Sequence, residues 1–384
     1  MAMRTLRAGF TGYYGMGNFG DDLFGAVCTA AARQLWHAQP LVVGPRLDGV
    51  DAGCTVASEA MAARYGDTGA AGKGIRLLSF CRGVLGSDVL VLGGGSVITG
   101  RESFRKPLML GAQRMRGLSL AAVGVSVDPF RSEEARRRVA EFLGRFAYIS
   151  VRDRRSFELV SSLGLETTLH AGRDLAGMLP LLSPRPPKTP RLPGQMLTLG
   201  VSPCNYSVRP EYPAPEPAQW EDALIDALVE LAPRLPLQVK VFSLNRHPRH
   251  GDEALATDLQ RRLQAKGLSA STWFYRDRDP VKGVAAIAEC DAMVSARLHG
   301  AIVAYMEAVP LVMVDYHRKC RDFADDIGLP GSQRITGQSH DRRAWTRALH
   351  ALLDGSAEPR VSREVYARQA QQVFKCAPWS ADRD

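Results

Sequence analysis

The run SARLHG at 295–300 sets an arginine and a histidine two positions apart, where an apolar, strand-like stretch gives way to a helical pattern. Free N–H groups and the dipole at a helix start favour an anion, so Arg297 and His299 suit a phosphate or carboxylate there. His299 adds a group that can move a proton near neutral pH. The next strand-like stretch runs into DYHRK at 315–319 and delivers Lys319 to a neighbouring turn on the same carboxyl edge. A third turn of this kind, SVRDRRS at 150–156, presents Arg152 for bidentate bonding to an anion, while Asp153 beside it suits a helix cap. Three cations and one histidine on strand ends describe a site for a small, multiply charged anion. His170, His247, His250 and His317 have no comparable context and read as surface or packing residues.

Two glycine-rich stretches point to a second ligand. GYYGMGNFGDD at 12–22 follows a short apolar strand, and Gly15, Gly17 and Gly20 fit the spacing of a dinucleotide loop. Two aspartates at the start of the next helix would repel a pyrophosphate, so Asn18, Asp21 and Asp22 read as polar contacts to sugar hydroxyls, with a plain helix cap as the alternative. In DVLVLGGGSVIT at 88–99 a buried strand ends in three glycines, and Gly94 and Gly95 can offer bare backbone N–H groups to a sugar or anion, or simply make a tight loop. Just beyond, Arg101, Arg105, Lys106, Arg114 and Arg116 outweigh Glu102 by four charges. That excess suits either a diphosphate-linked acceptor or a solvated helix face.

Elements able to position these groups follow from periodicity. Aliphatic runs at 88–92, 118–125 and 147–151 read as buried strands, and between the last two a helix starts at Ser132, with Glu133 and Glu134 in its first turn and Ala135, Val139, Phe142, Leu143 and Phe146 on one face. Six prolines between 180 and 193 then interrupt the pattern. Strands at 197–201, 238–244, 272–275, 292–295 and 311–315 follow, alternating with helices at 220–231, 252–266, 281–290, 300–308 and 319–327. Such alternation predicts an α/β protein of two doubly wound, Rossmann-like domains facing across a cleft. The expected boundaries are 1–180, a proline-rich linker at 181–194, a second domain at 195–335, and a tail at 336–384 whose helix at 362–374 packs back on the first domain.

Composition narrows the class. A chain of 384 residues, 45% hydrophobic, can bury two cores. Its apolar runs are too short for a transmembrane helix, and its start lacks a secretory signal pattern, so a cytoplasmic location is expected. Seven scattered cysteines suggest neither a disulfide framework nor a metal site. The net charge of +9 suits an acidic partner, but no basic-aromatic pattern points to nucleic acid.

The glycine-rich segment with Asn18-Phe-Gly-Asp21, the triple-glycine strand end, the Arg152-Asp153 turn and the late SARLHG together resemble the polysaccharide pyruvyltransferases, in matching order from about Phe10 to Leu329. The resemblance implies a fold similar to the GT-B glycosyltransferases, with phosphoenolpyruvate bound in the cleft as co-substrate and no cofactor or metal. It implies donor binding by Arg152, Arg297 and Lys319, with Leu298 in the same turn, and His299 as catalytic acid or base, while Asn18, Asp21, Asp22, Gly94 and Gly95 remain the acceptor contacts read from the residues themselves. Asp22 departs from the glutamate that many relatives carry there. The implied acceptor is a sugar, lipid- or nucleotide-linked, which would place the enzyme at the inner membrane face. A nucleotide-sugar glycosyltransferase and a non-catalytic sugar- or anion-binding protein are the rival readings.

Overall fold

The computed structural model describes residues 5–98, 103–182, 194–205, 220–248, 250–337, 339–355 and 358–381. Thr99, Arg101, Glu102 and five of the six interrupting prolines lie outside them. Seven parallel strands, β1 (Arg7–Thr11), β2 (Gln39–Pro45), β3 (Gly53–Val56), β4 (Val89–Ile98), β5 (Ser119–Val127), β6 (Tyr148–Val151) and β7 (Thr168–Ala171), form one sheet in the order β3-β2-β1-β4-β5-β6-β7. Six more, β8 (Leu197–Ser202), β9 (Leu237–Ser243), β10 (Ser269–Phe274), β11 (Ala292–Ser295), β12 (Leu311–Asp315) and β13 (Arg334–Thr336), form a second in the order β10-β9-β8-β11-β12-β13. Helices cover both faces of such sheets, which is why the central strands are aliphatic almost throughout rather than alternating. Each sheet reverses its winding once, between β1 and β4 and between β8 and β11.

Three boundaries differ from the sequence expectation. The strand expected at 88–92 does not stop at the glycines: β4 runs on to Ile98, pairing Gly93 with Val123 and Gly95 with Val125. Gly94 and Gly95 hold φ of 74° and 79°, a left-handed backbone open to glycine at little cost, and the register shifts between Gly95 and Ile98. Pro180 lies in the short helix Leu179–Leu182 at its second position, where a missing N–H costs no helical bond. The second unit also continues past 335. β13 is its edge strand, and helix Arg342–Leu353 buries Trp345 against Trp220, the two rings 5.7 Å apart.

The two units share a core. Helix Phe19–Leu35 is buried on nearly every side because the first sheet covers one flank and second-unit helices Pro280–Ala288 and Leu298–Met306 cover the other. Asn18 caps it by accepting from Gly20 N, and its first residue donates across the divide, Phe19 N to Leu244 O at 3.0 Å. Arg246 N donates to Gly17 O at 2.7 Å, and Arg173 Nη1 meets Asp326 Oδ1 at 2.7 Å. The last helix, Arg363–Lys375, lies on the first unit, where Trp36 Nε1 and Tyr148 OH donate to the carbonyls of Phe374 and Val373.

Candidate functional site

Both sheets point their strand carboxyl ends, at their winding reversals, toward one cavity of about 580 Å3 between the units. The first unit supplies the loop after β1, with Asn18, Gly20 and Asp21, the far end of β4, with Gly95 and Ser96, and Arg152 from the end of β6. The second supplies Arg297, Leu298 and His299 after β11 and Lys319 after β12. Helix Leu298–Met306 starts two residues earlier than its periodicity suggests, so His299 stands in its first turn.

His299 is held by close packing. Phe24 meets its ring edge-on at 4.7 Å, and a Cβ on Gly20 would fall 1.9 Å from its Nδ1, so only glycine lets the first helix approach this closely. Its Nε2 is buried with no hydrogen-bond partner among the described residues. Burial pushes the imidazole down to about 4, the positive charges of Arg152, Lys319 and Arg297 add to the effect, and Asp174 opposes it. The ring is therefore neutral at pH 7.

The two arginines are not the bare cations that their turns suggested. Arg152 is buried, donating from Nε to Ser126 Oγ and from Nη1 to Asp174 Oδ2, both at 2.7 Å, with its guanidinium 5.7 Å over the Phe24 ring. Arg297 lines the cavity but forks onto Asp252, whose side chain is fully buried, with Nε at 2.8 Å from Oδ2 and Nη2 on Oδ1. Each carboxylate anchors its guanidinium and aims the rest, at the cost of offsetting that guanidinium's formal charge. Lys319 reaches across the cleft to Ser96 Oγ at 2.7 Å. Asp174 and Asp252 were invisible in the sequence, since they lie 22 and 45 residues from their partners.

On the acceptor side Asn18, Asp21 and Gly95 line the cavity, whereas Asp22 and Gly94 do not. Gly94 is packed beneath Phe24 and Leu175, so its backbone faces the core. Asp22 is fully buried, accepting from Gly15 N at 2.5 Å and Tyr275 OH at 2.8 Å, and so shapes the loop instead of touching a ligand. Burial lifts its carboxyl to about 7. The folded state thus keeps a proton that the unfolded chain sheds near pH 4, and this group makes stability fall by up to about 1.4 kcal/mol per pH unit as pH rises from about 4 to 7. Asp22→Asn, which keeps an oxygen to accept from Gly15 N and turns the Tyr275 contact into an amide N–H donated to the hydroxyl oxygen, is expected to flatten that decline in thermal melts taken across the window.

His247, His250 and His317, first read as surface or packing residues, also line the cavity. His247 and His250 stack at 4.7 Å just past β9, and His317 accepts from Lys319 N at 3.0 Å. Their signal was positional: each follows a strand end on the edge already assigned to Lys319. Tyr316, from the same turn, was missed for the same reason. The basic stretch after β4 mixes exposed and packed groups: Arg114 and Arg116 are exposed, whereas Arg105 lies 5.5 Å from the centre of the Phe80 ring.

Several solved structures share this architecture. Staphylococcus aureus MnaA in a co-structure with UDP is 10% identical, with a TM-score of 0.56 over 99% of this chain and 93% of that one. UDP-GlcNAc 2-epimerase from Methanocaldococcus jannaschii is 9% identical, with a TM-score of 0.57 over 96% of this chain and 98% of that one. The Neisseria meningitidis epimerase bound to UDP-GlcNAc is 8% identical, with a TM-score of 0.51 over 98% and 97%. At these identities the likeness is one of fold, and the fold is GT-B. No curated protein matches the chain. The family model described as polysaccharide pyruvyl transferase matches residues 18–318, from Asn18 at the end of the β1 loop through the β4 end and Arg152 to the Arg297–His299 turn, and the chain belongs to the polysaccharide pyruvyl transferase family.

Proposed function

We propose that the protein transfers the pyruvyl unit of phosphoenolpyruvate to a sugar, with Arg152, Arg297 and Lys319 facing the donor and Asn18, Asp21 and Gly95 facing the acceptor. What supports this most is His299, whose buried Nε2 lacks a partner and lies in the field of all three cations. A donor carrying a phosphate and a carboxylate would meet the aimed guanidinium edges and the lysine, and a cavity of about 580 Å3 leaves room for a sugar beside it.

The proton balance suits a single neutral imidazole. The methylene carbon of the donor must gain a proton, the sugar hydroxyl must lose one as its oxygen bonds to C2, and phosphate leaves with the C–O electron pair. His299 takes the hydroxyl proton. The bound trianion offsets the three cations that depress the ring, so the imidazolium persists long enough to serve the carbon. A second hydroxyl of the same sugar then closes the ketal, and its proton leaves with phosphate.

Donor comparison tests the reading. With a candidate glycan acceptor, phosphoenolpyruvate is expected to yield inorganic phosphate and an acceptor heavier by a pyruvate ketal in mass spectra. The structural neighbours named with UDP keep a nucleotide-sugar donor in view, so UDP-sugars form the second arm. Turnover of those, with phosphoenolpyruvate inert, would overturn the assignment.

A further inference from the structure

Ten large apolar side chains stand out as exposed among the described residues, and seven of them, Leu77, Leu78, Leu85, Val97, Phe104, Leu108 and Met115, fall between 77 and 115. Helix Ala70–Gly86 turns Phe80 and Val84 inward and presents Leu77, Leu78 and Leu85 outward at helical spacing. Helix Arg105–Arg116 turns Met109 inward and presents Leu108 and Met115, with Phe104 one turn before Leu108. Both pack on the same face of the first sheet and touch each other, through Phe80 and Phe104 at 6.3 Å and Arg116 Nη1 donating to Val84 O at 2.5 Å. Their outward stripes therefore share one surface. Met115 is 86% exposed and Leu85 63%, values that water alone does not favour for side chains of this size.

The charge on these helices is one-sided. They carry seven lysines and arginines and no acidic residue, in a chain with 40 aspartates and glutamates. Lys73, Arg82, Arg114 and Arg116 are exposed around the leucines and methionine. A basic surface with protruding aliphatic side chains matches an anionic bilayer, where the cations meet headgroups and the apolar tips enter the acyl boundary. A polyanion in water would satisfy only the charges. We infer that helices 70–86 and 105–116 form a docking surface for an anionic membrane. Val97, which lines the cleft at the end of β4, belongs to the same exposed set, so the docked enzyme would hold its cavity mouth beside the lipid, where a lipid-linked acceptor lies. Only that last clause rests on the proposed function.

Co-sedimentation of the full-length protein with vesicles of phosphatidylcholine, with and without phosphatidylglycerol, tests the surface. Binding is expected only to the anionic vesicles and should weaken with salt. Arg82→Glu with Arg114→Glu should lower partitioning at least about tenfold, each cation near such a surface being worth a factor of about five. Leu77→Ser, Leu85→Ser and Met115→Ser combined should lower it comparably, with a melting temperature only a few degrees lower, since the three side chains are about half or more exposed. Absence of binding at low salt overturns the inference. So does a triple variant that binds like the parent, which would mark a site for soluble polyanions, or a parent dimer that the triple variant splits, which would mark a self-association face. Turnover with a water-soluble acceptor is expected to survive in both variants, so loss of docking and failure of the donor assignment give different results.

Discussion

His299→Ala is expected to cut turnover by roughly 100- to 10,000-fold while donor affinity changes little, the signature of losing a group that moves a proton rather than one that grips an anion. Single-turnover phosphate release measures the first quantity and isothermal titration with phosphoenolpyruvate the second. His299→Gln should fall equally far, because an amide can fill the space between Gly20 and Phe24 but cannot exchange the proton. The pH profile separates the two possible roles. With the free imidazole titrating at about 4, a base that starts neutral leaves kcat/KM insensitive to this group from about pH 5 upward. An acid that must start protonated would instead make kcat/KM fall tenfold per unit above about pH 4. A variant as active as the parent would remove His299 from the mechanism.

Asp252→Asn is expected to be the most destabilising single change at the site. The carboxylate is fully buried and bidentate with Arg297, so the substitution leaves a largely buried guanidinium charge without its counterion. Breaking such a pair on one side costs about 3–5 kcal/mol, which for a unit of this size lowers the melting midpoint by roughly 10 °C. The same substitution frees the guanidinium from its anchor, and donor affinity should fall even at temperatures where the variant is folded. Differential scanning calorimetry and donor titration at low temperature read the two effects separately. A variant that melts within a degree or two of the parent would show that the pair contributes little beyond what an amide supplies.

Much of the architecture was legible from local pattern. Aliphatic runs of strand length, helical spacing between them and the SARLHG turn depend on backbone periodicity within a few residues, so the two α/β units and the strand-end placement of Arg152, His299 and Lys319 could be read directly. The β4 glycines show where local reading stops. In sequence they look like the end of a strand, but their left-handed φ values let the strand bend and continue beside β5, a result that depends on the neighbouring strand.

Tertiary packing decided the rest. Asp22 reads as a ligand contact because it sits at a helix start, yet Tyr275, far along the chain, closes over it and turns it into a buried brace. Arg152 and Arg297 read as free cations until Asp174 and Asp252 arrive from other turns to occupy one edge of each. The exposed apolar stripes on the first unit likewise emerge only from packing, since a period of 3.6 residues says that a helix has faces without saying which are covered. The sequence by itself determined which groups stand at the strand ends, because that is a local property of the backbone. Which of them stay open to a ligand was decided only by long-range pairing and burial.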